Sequence, residues 1–217
     1  MVKEKKKIGL IAGNGRLPFL VAQGAKAAGL QVICAGLADN AEPALQNVVD
    51  KFYNVPLARP GCWMRKLRKN GVTDTIMVGA VTKSRIYTPW RIVKYLPDWR
   101  AFRIWYWRLR KKDKRNDTLL NALCDELATG GIILQDSTKY CQQHLATEGI
   151  LTRCQPPSSV QADIEFGWPI VKKLGELDIG QAVAVREREI IAVEAIEGTA
   201  KMIERVGQLV KKGGWTL

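Results

Sequence analysis

The amino-acid sequence predicts an α/β protein in which a Rossmann-like parallel-sheet domain is followed by a smaller α/β domain. In the first part of the chain, short apolar runs typical of buried strands alternate with stretches of helical periodicity, and this alternation indicates a parallel sheet. Residues 155–159, Gln-Pro-Pro-Ser-Ser, then break the pattern and predict a boundary. We therefore expect a Rossmann-like domain at 1–154, with a basic and aromatic helical insertion at 85–115, and a C-terminal α/β domain at 155–217.

Residues 8–37 predict a strand–helix–strand unit. Residues 8–12 are an apolar strand, and the turn after it places Pro18 in the first turn of a helix, where the missing N–H of proline costs nothing. Gly29 ends this helix, and residues 31–37 form the second strand. Further strands are predicted at 75–78 and 132–134. Sheets of this kind bind ligands at the C-terminal ends of their strands.

The turn at residues 13–16 lies at such a strand end and is a candidate site for a phosphate or a nucleotide. Glycine lets the backbone approach an anion closely. The turn lacks the third glycine of the G-x-G-x-x-G pattern, and Asp39 is the nearest candidate for a ribose-binding acid, so NAD is weakly supported. A tight turn with a purely structural role is the alternative. The candidate binding residues here are Gly13, Asn14, Gly15, Arg16, Gly79 and Lys83.

Residues 85–115 combine basic and aromatic side chains in a pattern that predicts an amphipathic helix. Aromatic residues around Trp99 and Trp105 fall on one face, and arginines around Arg100 and Arg103 fall on the other. Such a helix is typical of a segment that lies in a membrane interface. Two alternatives stay open: binding of single-stranded nucleic acid, and a helix that packs on its own domain with a solvated basic face.

The C-terminal domain holds two acids between a strand and a helix. A hairpin is predicted from strands at 182–185 and 190–193, and Glu194 and Glu197 follow it, just before Gly198 and a helical pattern. Free N–H groups at a helix N-terminus attract an anion, and nearby carboxylates can hold a hard cation such as Mg²⁺. Adjacent anion and cation sites suggest chemistry on a phosphate; the alternative is a turn with solvated acids. Residues 215–217 predict the start of a strand that has no partner.

Composition narrows the chemistry. The chain has 34 Lys and Arg against 21 Asp and Glu, a net charge of +13, which favours an anionic partner. No apolar run approaches the roughly 20 residues of a transmembrane helix. The five cysteines form no C-x-x-C pair and His144 is the single histidine, so reduced cytosolic thiols are the default, and a zinc site or a His-based triad is not supported. The acid–base groups of an enzyme would be mostly Asp, Glu and Lys.

Six stretches carry a resemblance to a known family: residues 8–18 (IGLIAGNGRLP), 117–120 (DTLL), 162–164 (ADI) with Gly167, 178–183 (DIGQAV), 192–199 (AVEAIEGT) and 213–217 (GGWTL). In these stretches, and over nearly its whole length, the chain resembles the UDP-2,3-diacylglucosamine pyrophosphatases of lipid A biosynthesis. The resemblance implies Mg²⁺- or Mn²⁺-dependent hydrolysis of UDP-2,3-diacylglucosamine to UMP and 2,3-diacylglucosamine 1-phosphate (lipid X). It also implies that the substrate binds between two domains, in a cytoplasmic protein peripheral to the inner membrane.

The resemblance and the acid pair together select the site residues. Asp163, Glu194 and Glu197 are expected to do metal-binding or general-base work, with the metal assigned to Glu194 and Glu197. Gln181 and Thr199 are expected to orient reacting groups. The substrate-binding set is completed by Asp117 and Gly198.

The chain departs from the family in ways that bear on activity. Arg115-Asn116-Asp117 stands where Gly-Asp-Asp is frequent, and Ala200 stands where Asp is usual. Family members continue beyond the equivalent of residues 213–217 with a stretch that supplies an essential aspartate. We therefore expect a C-terminally truncated chain with little pyrophosphatase activity. The alternative function is a non-catalytic UDP-sugar- or lipid-binding protein. No nucleic-acid partner is expected, since no RNA- or DNA-binding module is recognisable, and a homodimer is left open.

Overall fold

The computed structural model describes residues 6–81, 96–110 and 116–217, without the side chains of 107–110 and 116–119. The chain divides into two compact units, Met1–Leu145 and Ala146–Leu217. This division lies before the Pro156-Pro157 break, from which a boundary after residue 154 is predicted. Lys83, and residues 85–95 and 111–115 of the predicted insertion, lie outside the described residues.

Five parallel strands form the sheet of the first unit. They are β1 (Lys7–Ala12), β2 (Gln31–Leu37), β3 (Lys51–Val55), β4 (Asp74–Val78) and β5 (Ile133–Leu134). Their order is β3-β2-β1-β4-β5. Ile11 pairs with Ala35 of β2 on one side and with Met77 of β4 on the other, so β1 lies at the centre. The strand order reverses between β1 and β4, which is where α/β sheets bind ligands. The predicted parallel α/β sheet is confirmed.

Helices cover both faces of this sheet. They are α1 (Leu17–Ala27), α2 (Pro60–Lys69), α3 (Trp99–Arg110) and α4 (Asn116–Thr129), and short 3₁₀ helices span Pro43–Asn47 and Gln142–His144. Side chains of a strand alternate between its faces. Leu10 of β1 therefore packs in a core with Val21 of α1, while its neighbour Ile11 packs in a second core with Leu67 of α2 and Leu127 of α4. No helix within the described residues is long and apolar enough to span a membrane.

The second unit pairs two helices with a hairpin. Its elements are α5 (Ser158–Glu176), β6 (Val183–Arg186), β7 (Glu189–Val193) and α6 (Thr199–Leu209). β6 and β7 are antiparallel, which confirms the predicted hairpin. Met202 and Val206 of α6 are fully buried against Ala184 and Ala192 of the hairpin. Gly167 of α5 lies against Val183 and Val185 of β6, so both helices pack on the hairpin.

The expectation that residues 215–217 start a strand without a partner is wrong. Thr216 forms an antiparallel bridge with Val185 of β6. The Val185 N–H donates to the Thr216 carbonyl at 2.8 Å, and the Thr216 N–H donates to the Val185 carbonyl at 2.7 Å. β6 is consequently paired on both sides, because β7 occupies its other edge.

Candidate functional site

The glycine turn after β1 lies at the reversal point of the sheet and is joined to the loop after β4. The Gly13 N–H donates to the Val78 carbonyl at 2.8 Å. Asn14 and Ala80 exchange two backbone hydrogen bonds, at 2.8 and 2.9 Å. The two loops therefore form one rigid backbone surface at the carboxyl ends of β1 and β4, the position at which such sheets bind nucleotides.

The three glycines of this surface have different reasons to be glycine. A Cβ on Gly13 would lie 2.6 Å from the Ala80 carbonyl oxygen, and a Cβ on Gly79 would lie 2.7 Å from the Gly13 carbonyl carbon. Close approach of the two loops explains both. Gly15 has a φ of 101° and no atom within 4 Å of an added Cβ. Of the three, only Gly15 thus leaves open space for a ligand beside the backbone.

The start of α1 adds a positive end to this turn. Exposed Arg16 is the N-cap residue, its side chain makes no capping hydrogen bond, and the first helical turn contains no acid. The N–H groups of an uncapped first turn carry a partial positive charge. Arg16 and this helix end together favour an anion next to Gly15, so the geometry suits a phosphate there.

A cleft next to the turn is large enough for a nucleoside. Its volume is about 740 Å³, within the range of small-molecule sites. Asp39, the predicted ribose candidate, lies in it with a φ of 63° and joins Asn14 in its lining. The other lining residues are Asn40, Ala41, Glu42, Pro43, Gln46, Phe52 and Asn54. Phe52 offers an aromatic ring, and Asn54 offers an amide that can donate and accept hydrogen bonds.

The sequence patterns miss the part of the cleft that β3 contributes. Phe52 and Asn54 belong to this strand, which is half exposed and lacks a continuous apolar run. The aromatic pair Phe52-Tyr53 is the sequence feature from which this strand could have been predicted. Two other predicted residues cannot be located by their side chains: Lys83 lies outside the described residues, and Asp117 lies in the first turn of α4, where side chains are not described.

In the second unit, the structure brings Glu194, Gln181 and Thr199 together. The Glu194 carboxylate accepts a hydrogen bond from the Thr199 hydroxyl at 2.9 Å and another from the Gln181 N–H at 3.3 Å. Gly180 permits this contact, because a Cβ there would overlap the Glu194 carbonyl. Glu194 is therefore a half-buried carboxylate in a fixed orientation, at the turn that leads into α6.

Glu197 is separate from this group and forms an ion pair with an arginine. Its carboxylate pairs with the Arg205 guanidinium at 2.8 Å, and Arg205 also donates to the Val193 carbonyl at 3.0 Å. Gly198, with a φ of 83°, precedes α6, whose first turn has no side-chain cap and no acid. The turn thus presents a second uncapped helix end beside Glu194.

The predicted metal ligands do not form a preformed metal site. Within the described ranges, no three His, Cys, Asp or Glu side chains gather where they could hold a metal ion. Glu194 is engaged by a hydroxyl and an N–H, and Glu197 by Arg205. Because Glu197 is paired with Arg205, these two carboxylates do not form a preformed Mg²⁺ site as they stand.

Asp163 is turned toward the hairpin. It is only 6% exposed. Its carboxylate accepts hydrogen bonds from the Arg188 N–H at 2.7 Å, the Glu187 N–H at 3.3 Å and the Thr216 hydroxyl at 3.4 Å. Glu187 and Arg188 have φ values of 54° and 61°, which are unfavourable for side chains with a Cβ. The geometry gives Asp163 a positioning role: it holds this strained turn and the strand-like end of the chain.

Two described arginines of the amphipathic helix α3 lie toward α4. Arg100 donates to Glu126 of α4 at 2.7 Å, and Arg103 lies 3.4 Å from the other carboxylate oxygen of Glu126, which is 5% exposed. Trp99 and Trp105 on the opposite face are 72% and 55% exposed. The helix therefore packs on its own domain, as one alternative expects, but its described arginines Arg100 and Arg103 pair with Glu126 and are only partly exposed.

Fold and site together describe an α/β protein of two units, with a nucleotide-type turn in the first and an ordered glutamate in the second. Family models for the LpxI N-terminal domain and the LpxI C-terminal domain match residues 7–144 and 147–217. The chain belongs to the LpxI family. It is 29% identical over 206 residues to the UDP-2,3-diacylglucosamine pyrophosphatase LpxI of Caulobacter vibrioides, covering 94% of this chain and 70% of that protein.

Two solved structures show a weak resemblance to the chain. The UDP-glucose-4-epimerase of Stenotrophomonas maltophila, with bound NAD and formylated UDP-arabinopyranose, has a TM-score of 0.36 and 9% identity, and covers 58% of this chain. The UDP-glucose 4-epimerase of Bifidobacterium longum, in complex with NAD+ and UDP, has a TM-score of 0.36 and 13% identity, and covers 80%. The chain spans 34% and 50% of these two enzymes. The family assignment therefore rests on the family models.

Proposed function

We propose that this chain is a hydrolase that cleaves the pyrophosphate of UDP-2,3-diacylglucosamine to UMP and 2,3-diacylglucosamine 1-phosphate (lipid X), a reaction of lipid A biosynthesis. The observation that carries the proposal is the family match over both units, together with the activity in the name of the Caulobacter relative. The substrate is a diphosphate, which suits a strongly basic chain with an anion-binding turn.

The nucleotide half of the substrate is assigned to the first unit. A phosphate next to Gly15 would face Arg16 and the positive end of α1, although Pro18 in the first turn has no N–H to donate. The uridine would then occupy the neighbouring cleft, with Phe52 beside the base and Asp39 near the ribose hydroxyls. This arrangement uses the carboxyl ends of β1, β2 and β3, and it leaves Gly13 and Gly79 with the structural task of joining two loops.

Hydrolysis needs a group that accepts a proton from water as the water oxygen bonds to one phosphorus atom; the bridging P–O bond breaks, and the bridging oxygen leaves with the electron pair on the second phosphate. We assign this task to Glu194, because its carboxylate is held in one orientation by Thr199 and Gln181 and keeps lone pairs for a water. The uncapped start of α6 next to it would stabilise negative charge on a phosphoryl oxygen. Asp163 supports the unit without touching the reacting atoms.

Dependence on Mg²⁺ or Mn²⁺ stays a prediction. Mg²⁺ in proteins is frequently held by one or two carboxylates and the phosphates of the substrate, and there it offsets charge on the diphosphate. Glu197 would have to exchange Arg205 for the metal. A peripheral position at the cytoplasmic face of the inner membrane is also proposed, since the substrate carries two acyl chains.

The test of this function compares UMP release by wild type, Glu194→Gln and Glu204→Gln. Glu204 is an exposed acid on α6 with no described contact to the Glu194 group, so it controls for the loss of one charge. We expect Glu194→Gln to lower the rate by about two orders of magnitude or more, and Glu204→Gln to leave it within about twofold. Full activity of Glu194→Gln would exclude Glu194 as the group that accepts the proton. Binding of substrate without UMP release by wild type would favour the non-catalytic alternative. The same assay in the presence of EDTA tests whether UMP release depends on a divalent metal ion.

A further inference from the structure

The turn that carries Glu194 lies between β7 and α6, at residues 194–198. Ile196 within this turn is fully exposed, so its side chain does not anchor the turn to the core. A long backbone hydrogen bond closes the turn, from the Gly198 N–H to the Ala195 carbonyl at 3.3 Å. The shape of the turn therefore depends on polar contacts more than on apolar burial.

Arg205 supplies such contacts from the second turn of α6. Helical side chains lean toward the N-terminus of their helix, so the Arg205 side chain reaches back to the segment that precedes α6. One terminal nitrogen of its guanidinium donates to the Val193 carbonyl at 3.0 Å and to the Glu197 carboxylate at 2.8 Å. Val193 is the last residue of β7, and Glu197 lies near the end of the turn. These two contacts, which we call the Arg205 clamp, tie both ends of the turn to α6.

The Arg205 clamp is connected to the Glu194 carboxylate by short paths on both sides. Glu194 directly follows Val193, whose carbonyl the clamp holds. The Glu194 carboxylate also accepts a hydrogen bond from the hydroxyl of Thr199, which begins α6. A shift of α6 relative to the end of β7 would therefore change the distance between Glu194 and Thr199. Because a guanidinium is planar and its donors have a fixed geometry, arginine restrains such a shift better than a flexible ammonium group.

We propose that Arg205 is a positioning residue for the hydrolysis: together with Glu197 it holds the turn so that the Glu194 carboxylate keeps the orientation in which it accepts a proton from water. Arg205 acts through the backbone of the turn and does not touch the reacting atoms. The proposal rests on the proposed function, in which Glu194 accepts that proton. It gives Glu197 a task of its own, which is to hold the Arg205 guanidinium in place.

The experiment measures kcat and KM for UMP release by the full chain. Arg205→Gln and Glu197→Gln should each lower kcat by about tenfold and leave KM within about twofold, because the catalytic group is misplaced while the substrate still binds. The double variant should also lose about tenfold, since both substitutions break the same clamp. Arg205→Lys, which can still pair with Glu197, should remain within about threefold of wild type. The control Lys211→Gln removes one positive charge from an exposed residue of the same unit and should leave kcat within about twofold.

Hydrogen exchange gives a readout that does not depend on activity. Peptides that cover residues 193–200 should exchange about threefold faster or more in Arg205→Gln and Glu197→Gln, and at the wild-type rate in Lys211→Gln. The urea midpoint should stay close to that of wild type, because the two side chains are 48% and 28% exposed and such ion pairs contribute little to stability. If Arg205→Gln does not fold, Glu197→Gln and Arg205→Lys decide the question by the same two measurements.

Four outcomes overturn the proposal. The first is unchanged kcat or unchanged exchange in Arg205→Gln and Glu197→Gln. The second is a raised KM with an unchanged kcat in Arg205→Gln, which would place Arg205 on the substrate. The third is a loss of about a hundredfold in the double variant, which would mean that the two residues act independently. The fourth is an equal loss in Lys211→Gln, which would leave only an effect of net charge. Wild type that releases no UMP would defeat the proposed function, whereas active wild type with an equally active Arg205→Gln would defeat the positioning role alone.

Discussion

Replacing Asp163 separates a structural carboxylate from a catalytic one. Asp163→Ala removes the acceptor of three hydrogen bonds, which come from the N–H groups of the turn residues Glu187 and Arg188 and from the Thr216 hydroxyl. A hydrogen bond to a charged group contributes about 2 kcal/mol when short, and we assign that value to the 2.7 Å bond from Arg188. The two longer bonds, from the Glu187 N–H and the Thr216 hydroxyl, contribute roughly 0.5 kcal/mol each, because both donors can reach water.

We therefore expect Asp163→Ala to lower the free energy of unfolding of the second unit by about 3 kcal/mol. Two positive-φ residues cost roughly 1 kcal/mol each, and the Asp163 bonds offset that cost. Arg188→Gly should accordingly recover about 1 kcal/mol in the Asp163→Ala background. Asp163→Asn, which keeps one acceptor oxygen, should fall between wild type and Asp163→Ala.

The assay is urea denaturation of the full chain, combined with hydrogen exchange of peptides that cover residues 182–193. Faster exchange in the hairpin, with partial rescue by Arg188→Gly, is the expected pattern. UMP release is measured in the same samples. An Asp163→Asn variant with wild-type stability and exchange but no UMP release would refute the reasoning, because the carboxylate would then act in the chemistry.

Three further predictions concern the first unit. Glu126→Ala should lower the free energy of unfolding by about 1–2 kcal/mol in urea denaturation, since it leaves two partly exposed arginines without their acid; unchanged stability would contradict the pairing. Gly15→Val and Gly29→Val should lower the free energy of unfolding by similar amounts, because both glycines have a positive φ and open space beside them. Only Gly15→Val should weaken the affinity for a UDP-sugar, by about tenfold. Equal UDP-sugar affinities of the two variants would contradict a phosphate at Gly15. Burial raises the pKa of Cys34 to about 12. At about pH 9 a thiol reagent should therefore modify exposed Cys154, in the second unit, and spare Cys34. Rapid modification of Cys34 would contradict its burial.

Local patterns predicted the elements whose partners are close in sequence. The apolar run of β1, the turn with Pro18 and the glycine at position 29 all act within a few residues, so the first strand–helix–strand unit follows from them. The group of Glu194, Gln181 and Thr199 also spans fewer than twenty residues, and the structure brings these three residues together. A single sequence therefore predicts best those elements whose contacts lie close together along the chain.

Long-range partners account for what the patterns missed. The periodicity of α3 separates an aromatic face from a basic face, but the inward rotation depends on Glu126, 26 residues beyond Arg100. Asp163 binds turn residues 24 and 25 positions away and Thr216 at 53 positions, so no local motif predicts these contacts. The β3 strand mixes charged and aromatic residues at the edge of the sheet, where burial is too weak to impose a clear pattern.

The most direct test of the central claim is product analysis of the chain incubated with UDP-2,3-diacylglucosamine, at an enzyme concentration close to that of the substrate so that slow turnover is also detected. The proposed reaction yields UMP and 2,3-diacylglucosamine 1-phosphate in equal amounts, and Glu194→Gln yields neither within the same time. Unchanged substrate, or UDP with the free diacylated sugar in place of UMP and the sugar phosphate, would contradict cleavage of the pyrophosphate by this chain.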